Sequence, residues 1–171
     1  MHRRDQEIKR LVLYAKGLGI KVVIYNRASS HGQAMWSLDG SKIEIFAPKG
    51  TSKTDIILSC LHELGHHLSF VHDKEREMPK KLDRAWEREN ADKELSDHER
   101  KLIYEDEVAG TEFWDTIIHE LDIRIPKWKV EAQKEIDLWM YEVFMKSGLY
   151  PTPSQQKKKY KEVRQKWKKK I

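Results

Sequence analysis

The stretch LHELGHHLSFVH, residues 61–72, puts four histidines and one glutamate into twelve positions of a chain otherwise rich in lysine and glutamate. Its first half, His62-Glu63-Leu64-Gly65-His66, reads H-E-x-x-H. On a helix, side chains four apart project from one face, so the His62 and His66 imidazoles can each offer a nitrogen to one Zn²⁺ ion. Glu63, one step round, can reach a water on that ion without taking a ligand position. Zinc lowers the pKa of such a water from about 15.7 to about 7, and a carboxylate beside it is placed to take the proton as general base. The expected chemistry is attack of the activated water on a polarised carbonyl.

The flanks predict a helix under this motif. Ser52 and Asp55, just after Pro48 and Gly50, fit the S-x-x-D form of a capping box, so a helix is expected to start near Lys53. Ile57, Leu61, Leu64, Leu68 and Val71 fall at helical spacing as a buried stripe, while Asp55, Ser59, His62, His66 and Ser69 lie on a polar one facing a cleft. Upstream, Asp39-Gly40 between MWSL (35–38) and SKIEIF (41–46) predicts a two-residue type I′ hairpin turn. IKVVIY (20–25) is strand-like. Ile8, Leu11, Val12 and Ala15 predict an opening helix over 5–16, ended at Gly17 or Gly19. Downstream, 73–100 is the most charged part of the body and is expected to be a mobile or helical excursion over the surface. One helix is expected from Leu102 through Ala109, Phe113, Ile117 and Leu121 until Pro126 stops it, and another over about 127–146. Gly148 and the Pro151/Pro153 pair then break the chain.

With 171 residues and 39% hydrophobic content, the prior is one compact domain plus an extension, drawn here as a domain over 1–150 and a basic tail over 151–171. The fold class expected is α+β. No apolar run approaches the roughly 18–20 residues of a membrane span, and no small-residue cleavage site follows the N-terminus, so a cytoplasmic location is expected. The single cysteine, Cys60, excludes an intrachain disulfide, is expected to be a small buried helix residue, and leaves any metal to histidine and carboxylate. The net charge of +5 is uneven: residues 155–171 carry nine Lys or Arg and one Glu, so the rest sums to −3. With Tyr160 and Trp167 among its cations, the tail offers backbone contacts and base stacking, which makes nucleic acid a candidate partner. The plainer reading is a solvated, frayed helix that aids solubility.

The order of helix, short strands, hairpin and LHELGHHL resembles the zincin metallopeptidases. Over about residues 5–125 it most resembles the gluzincin-like small bacterial and phage proteins of the ImmA/IrrE type. The resemblance implies a zincin-like α+β fold and a zinc metallopeptidase that hydrolyses peptide bonds of a specific protein substrate, often a repressor in a mobile element. It would act in the host cytoplasm if the chain is phage-encoded. It also implies that the strand before the active helix, 41–47 here, borders the cleft and pairs through its edge with an extended substrate. Such proteins carry E-x-x-A-x-x-F-A after the zinc helix. Residues 107–114, EVAGTEFW, are similar, with Gly110 for the first Ala and Trp114 for the second. The ligand set so implied is His62, His66 and Glu107, with Glu63 catalytic, and a small residue at 110 would let the two helices approach.

Rivals for the third ligand are Glu105 and Asp106, one or two positions away, and His72. His72 stands where the metzincin pattern H-E-x-x-H-x-x-G-x-x-H has its third histidine, but Ser69 replaces the turn-making Gly. A helix that continued would carry His72 about 600° beyond His66. His67 points about 100° from its neighbour and suits a supporting or surface role. Tyr104 is the candidate transition-state donor, and His119-Glu120 is half a motif. The alternative function is a nucleic-acid-associated protein with a structural or vestigial zinc site, acting through its tail. A SprT-like version of it would take the third ligand from His98 or His119.

Overall fold

A computed structural model describes residues 3–29, 34–37, 40–72 and 79–170. The fold is α+β and mostly helical, with a small three-stranded mixed sheet. The chain divides into two compact units, one of Met1–Ser69 with Gly110–Arg124 and one of Phe70–Ala109 with Ile125–Ile171. Residues 151–171, set apart by composition, are thus grouped with 125–150 and 70–109. Among the described residues no helix is long and apolar enough to cross a membrane.

The first unit opens with α1 (Arg3–Gly17). Leu11 and Ala15 of the expected stripe are buried, Ile8 and Val12 half-buried, and the stripe is completed by a carboxylate, Glu7. Arg3 and Arg4 reach that carboxylate at 3.3 and 2.6 Å, and the Arg124 backbone N–H donates to it at 3.1 Å. The helix ends at Gly19, where φ is +81°; Gly19 N–H donates to Lys16 C=O and Ile20 N–H to Ala15 C=O, the paired bonds of a Schellman motif.

Three strands follow: β1 (Lys21–Tyr25), β2 (Ala34–Trp36) and β3 (Lys42–Phe46), in the spatial order β1-β3-β2. β2 pairs antiparallel with β3, Trp36 opposite Ile43, a register that centres the turn on 39–40 as the Asp39-Gly40 signal predicts. Gly40 has φ +70° and donates to Ser37 C=O; Leu38 and Asp39 lie outside the described residues, and the turn type with them. β1 runs parallel to β3. This corrects one expectation. β3 is the central strand, with both edges already paired, so a substrate cannot add to it; the sheet edges are β1 and β2.

Helix α2 (Lys53–His72) starts where the capping box places it, with Asp55 N–H donating to Ser52 Oγ at 3.1 Å. Ile57, Leu61 and Leu64 are buried, but the stripe fades to a half-buried Leu68 and an exposed Val71. Its polar stripe is also covered at His66 and Ser69. The helix expected from 102 to 125 is two: α4 (Asp97–Glu112) and α5 (Trp114–Glu120). Phe113 separates them with near-helical angles, φ −81° and ψ −12°, so neither a Gly nor a Pro marks the break.

The second unit contains α3 (Pro79–Asn90), most of α4, α6 (Lys127–Ser147) and α7 (Pro153–Lys170). The charged 73–100 stretch is therefore helical in part and contributes to a core: Ala85 and Leu95 are buried with Ile103 and Phe144, and Trp86 and Tyr141 pack against them. Residues 73–78 lie outside the described set. Gly148 closes α6 in the left-handed conformation. The tail is not frayed. Val163 of α7 is buried with Ala132 and Ile136 of α6, and Trp167 packs beside them.

Candidate metal centre

Helix α2 carries His62 and His66 one turn apart, and their Nε2 atoms face one another at 3.2 Å with the rings nearly perpendicular. One ligand atom from each, together with a carboxylate oxygen of Glu107, forms a group whose members all lie within 4.8 Å of one another. Two imidazoles and a carboxylate are a donor set that suits zinc and leaves a fourth position for water. Nitrogens 3.2 Å apart would subtend roughly 100° at an ion about 2.0–2.1 Å from each, close to a tetrahedral angle. The residues fit the metal.

Two glycines set this geometry. Gly65, between Glu63 and His66 on α2, lies so close to α4 that a Cβ there would fall 2.1 Å from the Gly110 carbonyl oxygen. Backbone meets backbone. A Cβ on Gly110 would in turn fall 3.2 Å from His66 Nδ1. Glu107 precedes Gly110 by about one helical turn, so the crossing that presses Gly110 onto His66 fixes where Glu107 projects from α4. Glu107 is 1% exposed and Glu63 6% exposed. Carboxylates buried to that degree are costly unless paired or coordinated.

Around the histidines the walls are aromatic. Trp114, fully buried at the start of α5, sets its ring edge-on to His62 at 6.1 Å. Trp36 of β2 does the same to His67 at 6.1 Å, so His67 is half-buried beside the sheet rather than at the candidate ligand group. Cys60 is buried below the motif. Burial, with Glu63 adding, pushes its thiol up to about 12, so it stays protonated and inert.

The rivals are engaged elsewhere. Glu105 is exposed and pairs with Lys101 at 3.5 Å. Asp106 accepts from Trp86 Nε1 at 3.1 Å. Helix α2 runs straight through Ser69 to its last residue, His72, which is exposed and outside the ligand group, so the turn the metzincin pattern requires is not made. His98 and His119 are exposed, and Tyr104 is half-buried on α4. Sequence reasoning missed Gly65 and the contact of Trp114. Gly65 carried a signal: a mid-helix glycine costs about 1 kcal/mol against alanine and asks for a packing reason.

No family model matches this chain, and no curated protein and no solved structure matches it.

Proposed function

We propose that the protein is a zinc-dependent metallopeptidase of the gluzincin kind, related in type to the ImmA/IrrE proteins, in which His62, His66 and Glu107 hold the metal and Glu63 is the general base. The observation that carries this reading is the convergence of the three ligand atoms within 4.8 Å of one another, with a second carboxylate one residue after His62. Zinc in that setting supplies Lewis acidity and brings the pKa of a coordinated water from about 15.7 to about 7.

The chain's own groups do the rest. Glu63 takes the proton of the attacking water and returns it to the leaving amine, a shuttle that a buried carboxylate on a rigid helix performs without reorganisation. Trp114 sets its ring edge-on to His62, and the His66 ring lies where even a Cβ on Gly110 would come within 3.2 Å of its Nδ1. The substrate is an extended segment of a protein. It would add to the outer edge of β2, the edge strand whose Trp36 packs on His67, next in sequence to the ligand His66.

Metal analysis of the purified protein tests the reading before any substrate is known. One zinc per chain, released by chelator and absent from a His62→Ala/His66→Ala variant, is the expected result. A protein that takes up no zinc at micromolar free metal ends the proposal.

A further inference from the structure

Helix α7 separates its cations into two sets. The first lies on or beside aromatic rings: Lys159 over Trp139, Arg164 over Trp128 and Tyr160, Lys168 over Trp128, and Lys166 and Lys170 over Trp167, at 4.9–5.7 Å from the ring centroids. Trp167 also donates its indole N–H to Glu135 at 2.8 Å, and Lys166 pairs with the same carboxylate at 2.5 Å. The second set is Lys157, Lys158, Lys161 and Lys169, all exposed, none ion-paired among the described residues. At 100° per residue these four fall within about 120° of arc, opposite the face that buries Val163.

We propose that this face of α7 docks on the phosphate backbone of double-helical DNA, without reading bases. Its four lysines span roughly 18 Å of helix, along which a duplex presents about ten phosphates. The aromatic residues that suggest single-strand stacking lie off this arc: Trp167 packs on α6, and Tyr160, though 38% exposed, is about 60° round the helix from the nearest of the four lysines with Arg164 over its ring, so the lysine arc itself presents no ring to a base. Apart from Ser154 and Gln165 and, at its margin, Glu162, the arc offers ammonium groups, which suit phosphate charge rather than base edges or ribose 2′-hydroxyls. The face does not depend on the metal centre.

The test is fluorescence anisotropy with a labelled 20-base-pair DNA duplex of mixed sequence, a labelled oligo-dT of the same length, and polyglutamate as competitor. Four phosphate contacts predict duplex affinity that falls about 150-fold between 50 and 200 mM NaCl. The variant with Gln at 157, 158, 161 and 169 should bind at least ten-fold more weakly at 100 mM salt with unchanged circular dichroism, and Arg at the same positions should restore binding. Tryptophan fluorescence should not be quenched by either DNA. Absence of duplex binding by the wild type at 50 mM salt overturns the proposal, as does a Gln variant that binds like wild type. Tighter binding to oligo-dT with quenching would mean that the rings do stack. Polyglutamate that displaces the duplex at equal charge would assign the face to an acidic protein instead. Should the Gln variant lose helicity, the Arg variant decides: a folded Arg variant that fails to bind overturns the proposal.

Discussion

Glu63 and Glu107 are both buried carboxylates associated with the same histidine pair, and the proposed chemistry asks opposite things of them. A base must be able to lose its charge to a proton, whereas a ligand must keep it. Glu63→Gln is isosteric and leaves both imidazoles in place, so it should retain one zinc per chain while peptide hydrolysis falls by at least about 10²–10⁴-fold. Metal analysis and a single-turnover assay on the same preparation check both halves, and loss of zinc in this variant would mean that a ligand had been taken for a base. Glu107→Ala should release the metal. Glu105→Ala and Asp106→Ala should not, because their carboxylates already serve Lys101 and Trp86. An Asp106→Ala protein that loses zinc while Glu107→Ala keeps it would overturn the assignment. The Cys60 thiol gives a control on folding in all of these variants: with its pKa pushed up to about 12, it should resist iodoacetamide at pH 8 until denaturant is added.

Between α2 and α4, contact at Gly65 and Gly110 is a matter of backbone, and its consequence is a sharp asymmetry between two equally small substitutions. Gly65→Ala would improve local helix propensity by about 1 kcal/mol, but its methyl has no room against the Gly110 carbonyl, and overpacking of this kind costs about 1–3 kcal/mol or more. It should lower both the thermal midpoint and zinc affinity; a stabilised Gly65→Ala protein would show that the helices do not touch there. Gly110→Ala meets the His66 ring at 3.2 Å and the His66 backbone nitrogen at 3.4 Å, both milder than the 2.1 Å clash at Gly65, and should weaken zinc binding with a smaller change in stability. The same contrast between local and non-local information explains what the sequence disclosed. Starts and stops such as Ser52 with Asp55, Gly19 and Gly148 are settled by a few neighbouring residues and were legible. The histidine pair of the candidate ligand group was marked by its i, i+4 spacing, and Glu107, which the structure groups with it, by the resemblance of EVAGTEFW to a family pattern. The box at Thr152 and Gln155 with Pro153 in the first turn is a signal of the same kind, with Thr152 N–H donating to Gln155 at 2.8 Å, and it marks α7 as a true helix rather than a frayed tail. The central position of β3 was not legible, because its parallel pairing with β1 joins residues about twenty apart and leaves no mark on either strand's sequence. The break at Phe113 was hidden for the opposite reason, its backbone being nearly helical.

For the molecule as a whole, acid and truncation probe the two units separately. In the first, burial alone would raise the Glu7 carboxyl, but the Arg124 backbone N–H and the Arg4 and Arg3 guanidinium groups outweigh it and hold the group below its ordinary value of 4.5. A carboxyl depressed in the folded state contributes stability that is full above that ordinary value and is lost as pH falls through the folded one. Stability should therefore drop below about pH 4.5, and Glu7→Gln should flatten that limb while costing about 1.5–3 kcal/mol at pH 7; urea midpoints at pH 3 to 7 compare the two. In the second unit, removing residues 153–171 strips Val163 and Trp167 from Ala132 and Ile136 and leaves Glu135 without Lys166. Burial of Val163 alone contributes about 1.5–3 kcal/mol, and the Trp167 ring adds to it. A loss of about 3 kcal/mol should lower the thermal midpoint by about 6–12 °C in a chain of this size. None of the three candidate ligands lies in the deleted segment, so the truncated protein should still bind one zinc. The four-lysine Gln variant removes charge from the same helix but no packing, and should stay within about 0.5 kcal/mol of wild type. A truncated chain that loses both stability and zinc would mean that α6 needs α7 to keep Glu107 where the histidines can use it. If the Gln variant destabilised as much as the deletion, the exposed lysines would be part of the fold and not a surface held out for a partner.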